Sequence, residues 1–599
     1  MSAAHGSAVR EALAEIRRLK AEVAALRAEH HPTGSAIAIV GMACRFPGAP
    51  DLAAYWDLLL NGREGVGPVP ASRWNPETIA LDVEAARPAL RQGGFIDDVD
   101  AFDAAFFGIS PREALLMDPQ HRLVLELGWT ALEDSAIDPT SLADSSTGVF
   151  LGISANDYTA NVVATAGLLD GHQLSGGGFS FAPGRLARHL GLRGPTLALD
   201  SACSSSLVAV HLACRAILAG ECRLALAGGI NVIATPAGGV LAARAGMLSP
   251  TGRCHSFAAA ADGFVRAEGC GLLVLKPLDA ATRDGDRIVA VIRGSAIGHD
   301  GPSSGLTVPN PVAQAAVIRQ ALTAAALEPD GVAYVETHGT GTRLGDPIEV
   351  QGLRSVFGQA RQGDRLRLGA VKSAIGHAES AAGVAGLIKA ALALRHGVVP
   401  PDPPRGATNP LIPWGEMPFD LADAAAPLAS KSAIGVSSFG ASGTNAHVVL
   451  GAAPAATASD NASPRPLHLL ALSARSPDGL EQLLQRHAQG LADDTVTVAD
   501  YVATATIGRA HLTHRLAVVG RDTTRLRQAL LARRHEAAAT RRSQPPRIAF
   551  LFTGQGVRQL GAGGELYATD AGFRADIDRH QAVLAALSPN FATANLPEL

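Results

Sequence analysis

The sequence predicts a layered α/β protein, and three observations support this fold class. The chain has 599 residues, 47% of them hydrophobic and 18% charged, so it can bury a large core and form more than one domain. From Ala36 to about Leu450, short β-rich runs alternate with alanine-rich helical stretches, which is typical of helices packed on a sheet. Several of the β-rich runs end in glycine-rich turns that precede a helical run.

Charge and cysteine content exclude several classes of protein. The 51 basic and 55 acidic residues give a formal net charge of -4, which provides no electrostatic basis for binding nucleic acid or an anionic membrane. The six cysteines contain no C-x-x-C pair, so we expect no disulfide scaffold and no metal site. The sequence has no carrier-protein serine motif, so we expect no covalently bound cofactor. No run fits a signal peptide or a membrane span, so we expect a cytoplasmic protein.

The first predicted element is a helix within residues 1–33. Apolar residues recur there at alternating steps of three and four, the heptad spacing of a coiled coil: Val9, Ala12, Ile16, Leu19, Val23 and Leu26. β-branched residues at one core position and leucine at the other favour a parallel dimer. We therefore predict an N-terminal coiled-coil docking helix, with a single amphipathic helix packed on its own domain as the alternative.

Three further regions follow this helix. Residues 34–450 form the main α/β domain. Residues 451–546 begin with a linker rich in Ala, Pro, Ser and Asn and continue as a small α/β linker domain, with strands expected at 467–472 and 515–519. Residues 547–599 begin with a short apolar run that we expect to form a strand leading into a glycine turn.

A cysteine lies where a β-type run, residues 196–199, meets an apolar helical run. Small residues around Cys203 leave room for a substrate carbonyl, and the positive end of the helix dipole is expected to favour its thiolate. Cys203 is therefore our candidate nucleophile for covalent catalysis. The alternative is a structural, unpaired cysteine.

Two histidines occupy similar positions later in the chain. His338 ends a predicted strand and precedes a glycine and threonine loop that contains Thr340 and Thr342. His377 is also predicted to follow a strand, in a glycine-flanked turn that leads into a helix over residues 381–394. One thiol and two imidazoles at strand ends of one α/β domain fit the pattern of a nucleophile with two partners.

Two neighbouring segments have simpler interpretations. Asp346, Pro347 and Glu349 fit the N-cap, N1 and N3 positions of the helix after the His338 loop, so a structural role is predicted for them. Residues 437–447 combine a glycine-rich turn with a following strand. The backbone N–H groups of this turn could bind an oxyanion, and the alternative is a tight turn with no further role.

In this order, the four segments resemble the ketosynthase of type I modular polyketide synthases, within the β-ketoacyl synthase and thiolase-like superfamily. The resemblance spans residues 35–450 and includes four further motifs, at residues 41–47, 117–122, 262–269 and 306–310. It implies two similar α/β halves stacked as a thiolase-like αβαβα five-layer sandwich. It also implies that the protein is a homodimer.

The resemblance also assigns site residues. Cys203 matches the acyl-accepting nucleophile, and His338 and His377 match the paired histidines of decarboxylation and condensation. The backbone amide of Ala441 would join that of Cys203 in an oxyanion hole. The other implied site residues are Lys372, Phe439, Gly440, Thr340, Thr342, Thr444 and Asn445.

Two positions depart from the family. Ala441 stands where many relatives carry a bulky apolar residue, and Ala374 stands where asparagine is frequent. We expect a roomier or differently gated acyl pocket, and neither change alters the nucleophile or the histidines.

Function and partners follow from the same resemblance. It implies polyketide chain elongation by decarboxylative Claisen condensation, with substrates on the phosphopantetheine arms of acyl carrier proteins, one upstream and one in the same module. Residues 463–546 resemble the linker after such ketosynthases, and residues 550–556 resemble the start of an acyltransferase domain. No acyltransferase serine motif follows in the sequence, so we expect another chain, or the rest of a split domain, to supply that activity.

Two alternatives remain at this point. A starter-unit decarboxylase usually lacks the cysteine, and a non-elongating ketosynthase that is only an acyl-transfer scaffold typically lacks a site histidine. Cys203, His338 and His377 all favour the elongating enzyme over both alternatives.

Overall fold

The computed structural model describes residues 36–79, 87–166, 171–358, 365–455, 465–493, 496–533, 539–540, 548–551 and 563–587. The predicted coiled-coil helix of residues 1–33 lies outside these residues. The chain divides into two compact units, Met1–Pro454 and Ala455–Leu599. In the described part of the chain, no helix is long and apolar enough to cross a membrane.

The described strands, in chain order, are β1 (Ile37–Arg45), β2 (Val66–Pro68), β3 (Gln92–Gly94), β4 (Thr147–Gly152), β5 (Thr196–Leu199), β6 (Leu224–Asn231), β7 (Gly269–Pro277), β8 (Ala290–His299), β9 (Val332–Glu336), β10 (Leu366–Gly369), β11 (Val398–Val399), β12 (Phe419–Leu421), β13 (Ala426–Pro427), β14 (Ala433–Phe439), β15 (Thr444–Ala452), β16 (His468–Ala474), β17 (His514–Gly520) and β18 (Ala539–Thr540).

The described α-helices are α1 (Leu52–Leu60), α2 (Pro111–Leu116), α3 (Pro119–Asp134), α4 (Asp157–Ala166), α5 (Gly171–Gly177), α6 (Phe181–Leu190), α7 (Ser205–Leu218), α8 (Ala237–Arg244), α9 (Leu278–Asp284), α10 (Pro311–Ala324), α11 (Gly345–Phe357), α12 (Lys372–Ile375), α13 (Ala382–His396), α14 (Pro477–Gly490), α15 (Val498–Ile507), α16 (Thr523–Ala532), α17 (Gly564–Thr569) and α18 (Ala571–Leu587).

Eleven of the described strands form one mixed sheet in the first unit, in the order β12-β10-β9-β14-β15-β8-β1-β7-β6-β4-β5. β1 is the junction, because it pairs antiparallel with β7 and, through three residues near its start, also with β8. This pairing joins two half-sheets. The first contains β1 and β4 to β7, and the second contains β8 to β10, β12, β14 and β15.

Helices form the other layers. α7 contacts β4, β6 and β15, and α13 contacts β7 and β14, so both lie between the two half-sheets. α13 is buried all round from Ala382 to Ala393, and its many alanine and glycine residues fit such a position. α3 and α6 cover the outer face of the first half-sheet, and α10 and α11 cover that of the second. The predicted αβαβα five-layer sandwich is confirmed.

The second unit contains a small three-stranded sheet. β16 pairs antiparallel with β17, and β18 pairs with the start of β17. α14 and α16 pack against this sheet through a leucine-rich core that includes Leu470, Leu484 and Leu526. Both strands predicted in the linker domain are therefore confirmed.

The strand predicted at the start of residues 547–599 is wrong in its described part, residues 548–551, which contains no strand. The side chains of Ile548, Phe550 and Leu551 are exposed there. β-propensity alone does not hold a strand, because its backbone N–H and C=O groups need a neighbouring strand to pair with.

Candidate active site

Cys203 lies in a tight turn between the edge strand β5 and helix α7. The turn is a single 3-10 turn, Ala202–Ser204, and Ala202 has a φ of 55° in the left-handed region. That conformation costs a non-glycine residue about 1–2 kcal/mol. Asp200 holds it, because its carboxylate accepts the N–H of Ala202 at 2.8 Å. The strand and the helix thus present Cys203 on a strained turn.

The β14–β15 hairpin packs against this turn. The Ser438 hydroxyl donates to the Cys203 carbonyl oxygen at 2.8 Å. A Cβ added to Gly440 would lie 2.3 Å from the Ser201 carbonyl oxygen, so only glycine fits at that position. The backbone N–H of Ala441 and that of Cys203 itself lie against the Cys203 sulfur. The hairpin therefore brings one amide donor to the thiol, that of Ala441, and the turn itself supplies the second.

The thiol is less acidic than the sequence predicted. Burial, together with the negative charge of Glu379, raises the pKa of Cys203 to about 11. Lys372 and the two backbone N–H groups oppose this shift. The expectation of a helix-stabilised thiolate is therefore wrong, because the loss of solvent around the sulfur outweighs the favourable charges.

We expect the rate at which iodoacetamide alkylates Cys203 to rise about tenfold per pH unit between about pH 7 and pH 9, because the thiolate fraction grows throughout this range below a pKa of about 11. Quenching the reaction at several times and quantifying the Cys203 peptide by mass spectrometry measures that rate. A rate that levels off below about pH 8 would contradict the raised pKa.

His338 follows β9, as predicted, and its ring is held in one tautomer. Its Nδ1 accepts the backbone N–H of Phe439 at 3.3 Å, so the ring proton lies on Nε2. The carboxylate of Glu349 accepts the N–H groups of His338 and Gly339, at 2.7 and 2.8 Å. Glu349 thereby fixes the backbone that carries the imidazole.

The capping prediction for α11 is wrong. The N-cap is Leu344, and its side chain makes no capping bond. Asp346 is buried and accepts the N–H groups of Phe257 and Gly341, at 2.7 and 3.1 Å. Asp346 and Glu349 therefore hold the loop before the helix, because the loop folds back over the first turn and brings its own N–H groups to these carboxylates.

His377 does not follow a strand directly. β10 ends at Gly369, and the single helical turn α12 intervenes, so the predicted strand is too long. The Nδ1 of His377 accepts the backbone N–H of Glu379 at 2.9 Å, which again leaves the ring proton on Nε2. The backbone of His377 pairs with Val265 and Ala267, at 2.8 Å for each hydrogen bond.

The two imidazoles lie side by side and are neutral. Their ring centroids are 5.7 Å apart with an interplanar angle of 85°. Burial lowers the pKa of both His338 and His377 well below the usual value, and the positive charge of Lys372 lowers both further. Two neutral rings with fixed Nε2–H donors can stabilise a developing negative charge on a substrate oxygen.

Lys372 lies in α12 and is 3% exposed. Burial lowers its pKa, whereas the carboxylates of Glu336 and Glu349 favour its protonated form. Lys372 thus provides the positive charge that acts on the thiol and on both histidines.

The other predicted residues lie around the site: Thr340 and Thr342 in the loop after β9, Asn445 in β15 and Ala374 in α12. The hydroxyls of Thr340 and Thr342 are 3.2 Å apart, and Thr342 accepts the N–H of Gly345. Asn445 is buried and donates to Asp300 at 2.7 Å, so it ties the hairpin to the loop after β8. Ala374 belongs to the central core between the half-sheets.

No role was predicted from the sequence for Ser438, Arg266 or Glu379. The two charged residues form a partly buried ion pair beside His377. The available sequence signal for Arg266 and Glu379 was that each charged residue stands directly between small or apolar neighbours. Among the residues that the structure describes, no group of three or more His, Cys, Asp or Glu side chains could hold a metal ion.

The five-layer fold and this cluster of a thiol with two imidazoles define the class: the chain is a thiolase-like protein. Three family models match it, described as beta-ketoacyl synthase N-terminal domain over residues 34–281, beta-ketoacyl synthase C-terminal domain over 289–404, and ketoacyl-synthetase C-terminal extension over 408–519. The chain belongs to the beta-ketoacyl synthase family.

Solved ketosynthases share this fold. The oxazolomycin ketosynthase domain OzmH KS7 from Streptomyces albus JA3453 is 38% identical, with a TM-score of 0.78 over 85% of this chain and 91% of that one. The ketosynthase from module 6 of the bacillaene synthase from Bacillus subtilis 168 is 33% identical, with a TM-score of 0.77 over 91% of this chain and 92% of that one.

Curated relatives are much longer proteins. Polyketide synthase GfsA from Streptomyces halstedii is 44% identical over 92% of this chain and 8% of its own length. The spectinabilin polyketide synthase system protein NorA' from Streptomyces orinoci is 45% identical over 90% of this chain and 15% of its own length. The chain therefore spans only a small part of the length of these two relatives.

Proposed function

We propose that the chain is the ketosynthase of a polyketide elongation module and forms a carbon–carbon bond by decarboxylative Claisen condensation. The observation that carries the proposal is the tautomer of the two histidines. Both Nδ1 atoms accept backbone N–H groups, which leaves two neighbouring Nε2–H donors. Fixed, neutral donors of this kind are what an enolate oxygen requires. The similarity to solved ketosynthases supports the same activity.

In the first step, the Cys203 thiol attacks the acyl thioester on the phosphopantetheine arm of an upstream acyl carrier protein. A carbon–sulfur bond to Cys203 forms, the bond to the carrier sulfur breaks, and the carrier thiol takes up the proton that Cys203 loses. The N–H groups of Cys203 and Ala441, which lie against the sulfur, stabilise the oxyanion of the tetrahedral intermediate.

In the second step, a malonyl-type thioester on the carrier of the same module loses carbon dioxide. The electron pair of the broken bond forms an enolate, and the Nε2–H groups of His338 and His377 donate to its oxygen. The enolate carbon then attacks the acyl group on Cys203. The Cys203 sulfur leaves and is reprotonated, and the β-ketoacyl thioester stays on the carrier.

Partners follow from this chemistry. We propose that the substrates arrive on the phosphopantetheine arms of acyl carrier proteins, one upstream and one in the same module. The proposed domains are a docking helix in residues 1–33, the ketosynthase in 34–450, a linker and small linker domain in 451–546, and an acyltransferase-like segment in 547–599. We place the protein in the cytoplasm.

The test of this function supplies an acyl carrier and a malonyl carrier separately. If the protein elongates, a β-ketoacyl group should appear on the carrier protein. Carbon dioxide should be released only when the acyl carrier is also present. Malonyl-CoA in place of the malonyl carrier should give no product. Release of carbon dioxide without condensation would support the starter-unit decarboxylase, and acyl transfer without either would support the scaffold.

We also propose a homodimer, supported by the edge strand β5. It is the last strand of the eleven-stranded sheet, so one side of its backbone has no partner strand among the described residues. Leu197, in the middle of β5, is 47% exposed. An exposed apolar edge strand is a template for pairing with a second chain, and here it lies one short loop before the Cys203 turn.

Replacing Leu197 with lysine should therefore dissociate the dimer, because a charge on the edge opposes pairing. Light scattering should give the mass of a monomer for Leu197→Lys at micromolar concentration. Leu411→Lys is the control, since Leu411 is 56% exposed but lies in no strand. This control should stay dimeric. A dimeric Leu197→Lys protein would place the interface elsewhere.

A further inference from the structure

A partly buried ion pair lies beside His377 and has no role in the reaction described above. The Nε of Arg266 donates to one carboxylate oxygen of Glu379 at 2.5 Å, and its second terminal nitrogen donates to the other oxygen at 3.1 Å. The two side chains are only 11% and 23% exposed. This two-point geometry fixes the carboxylate in position as well as neutralising it.

Glu379 is held in an unusual backbone conformation. Its φ is 48°, in the left-handed region that non-glycine residues rarely adopt. The N–H of this same residue donates to the Nδ1 of His377 at 2.9 Å. The backbone strain and the hydrogen bond that sets the His377 tautomer therefore belong to one residue, and its side chain is anchored by Arg266.

Arg266 is tied to His377 from the other side as well. It forms an isolated parallel bridge with His377, in which the His377 N–H donates to Val265 and the Ala267 N–H donates to the His377 carbonyl oxygen. A Cβ added to Gly238 would lie 2.8 Å from one terminal nitrogen of Arg266, so a glycine there leaves room for the guanidinium. Residues 265–267 thus hold the backbone of His377 directly, and the Arg266 side chain supports its ring through Glu379.

We propose that Arg266 and Glu379 are a positioning pair: they hold the backbone N–H that fixes the His377 ring, and the guanidinium screens the Glu379 charge from the Cys203 thiol. Neither residue touches the reacting atoms. The first role rests on the proposed part of His377 in condensation. The second concerns only the reactivity of the thiol and holds whatever the enzyme condenses.

The charges around the thiol support the screening role. Glu379 and Lys372 are the side chains whose charges act most on Cys203, with opposite effects on its pKa. Arg266 in turn faces Glu379, Asp157 and Glu268. Removing the guanidinium leaves the Glu379 carboxylate uncompensated beside the sulfur, which disfavours the thiolate.

Alkylation of Cys203 by iodoacetamide tests the screening role in the full chain. At about pH 8, we expect the rate to fall about threefold or more in Arg266→Met and to rise by about the same factor in Glu379→Gln, which keeps the backbone N–H. The double variant should be faster than Arg266→Met. A double variant as slow as Arg266→Met would mean that lost packing and not charge is responsible, and would overturn the screening role.

Condensation tests the positioning role. Arg266→Met should lose about tenfold or more of its condensation rate while its acyl loading changes less, and Arg266→Lys should restore part of it. Unchanged condensation in Arg266→Met would overturn the positioning role. If no elongation occurs in the wild-type protein either, the proposed function has failed, and the alkylation rates still decide the screening role.

The chain offers a matched control for these measurements. The ion pair between Arg185 and Glu113 is also 2.5 Å long, with side chains 13% and 25% exposed. Arg185→Met should leave the alkylation rate of Cys203 unchanged, and an equal fall there would overturn the specific role of Arg266. If Arg266→Met does not fold, Glu379→Gln alone decides, because an alkylation rate that fails to rise contradicts the proposal.

Discussion

We expect the Cys203→Ala variant to lose covalent acyl loading completely and to keep its fold. The loss is complete because no other described cysteine lies on the strained turn against two backbone N–H groups, and acyl transfer needs a thiol there. The fold should persist because alanine removes only one sulfur atom at a position among small residues. Intact-protein mass spectrometry after incubation with an acyl carrier thioester measures the loading.

Cys222→Ala is the matched control. Cys222 is also a free cysteine, and it is 2% exposed. It lies between α7 and β6, so its replacement should leave loading at the wild-type level. Stable acylation of the Cys203→Ala protein would remove Cys203 as the nucleophile.

The second large effect is a separation of loading from condensation in the histidine variants. His338→Ala and His377→Ala should still transfer an acyl group to Cys203, because the oxyanion donors of that step are backbone amides. Each should lose condensation by about a hundred- to a thousand-fold, because one of the two enolate donors is absent. Loading and the β-ketoacyl product are followed in the same reaction by mass spectrometry.

His211→Ala is the control for these variants. His211 lies on α7, and its Nδ1 forms a hydrogen bond of 2.9 Å with the Ser295 hydroxyl. We therefore assign it a structural role and not a role in substrate binding. It should condense at close to the wild-type rate. Near wild-type condensation by His338→Ala or His377→Ala would show that the two-donor account is wrong.

Much of the fold follows from local sequence. The alternation of β-rich and alanine-rich runs predicted the layered architecture, and the edge strand before Cys203 was predicted at its observed bounds. The linker-domain strands were also predicted. Patterns of this kind depend on the order of apolar and polar residues along the chain, which the sequence shows directly.

The site was predicted less completely, because its details depend on distant contacts. Arg266 and Glu379 are 113 positions apart in the chain, and nothing local indicates their pairing. The acidity of Cys203 was predicted in the wrong direction because burial depends on the whole fold. Glu349 was assigned to a helix cap, since the return of the His338 loop onto its carboxylate cannot be seen in the sequence.

The central claim is that an acyl group passes through Cys203 into a new carbon–carbon bond. The most direct test loads the protein with an isotope-labelled acyl group, adds malonyl carrier protein, and follows the label on the Cys203 peptide and on the carrier over time. We predict that the label leaves Cys203 at the same rate as labelled β-ketoacyl carrier appears. Labelled product that forms without passing through Cys203, or an acylated Cys203 that malonyl carrier never discharges, would contradict the claim.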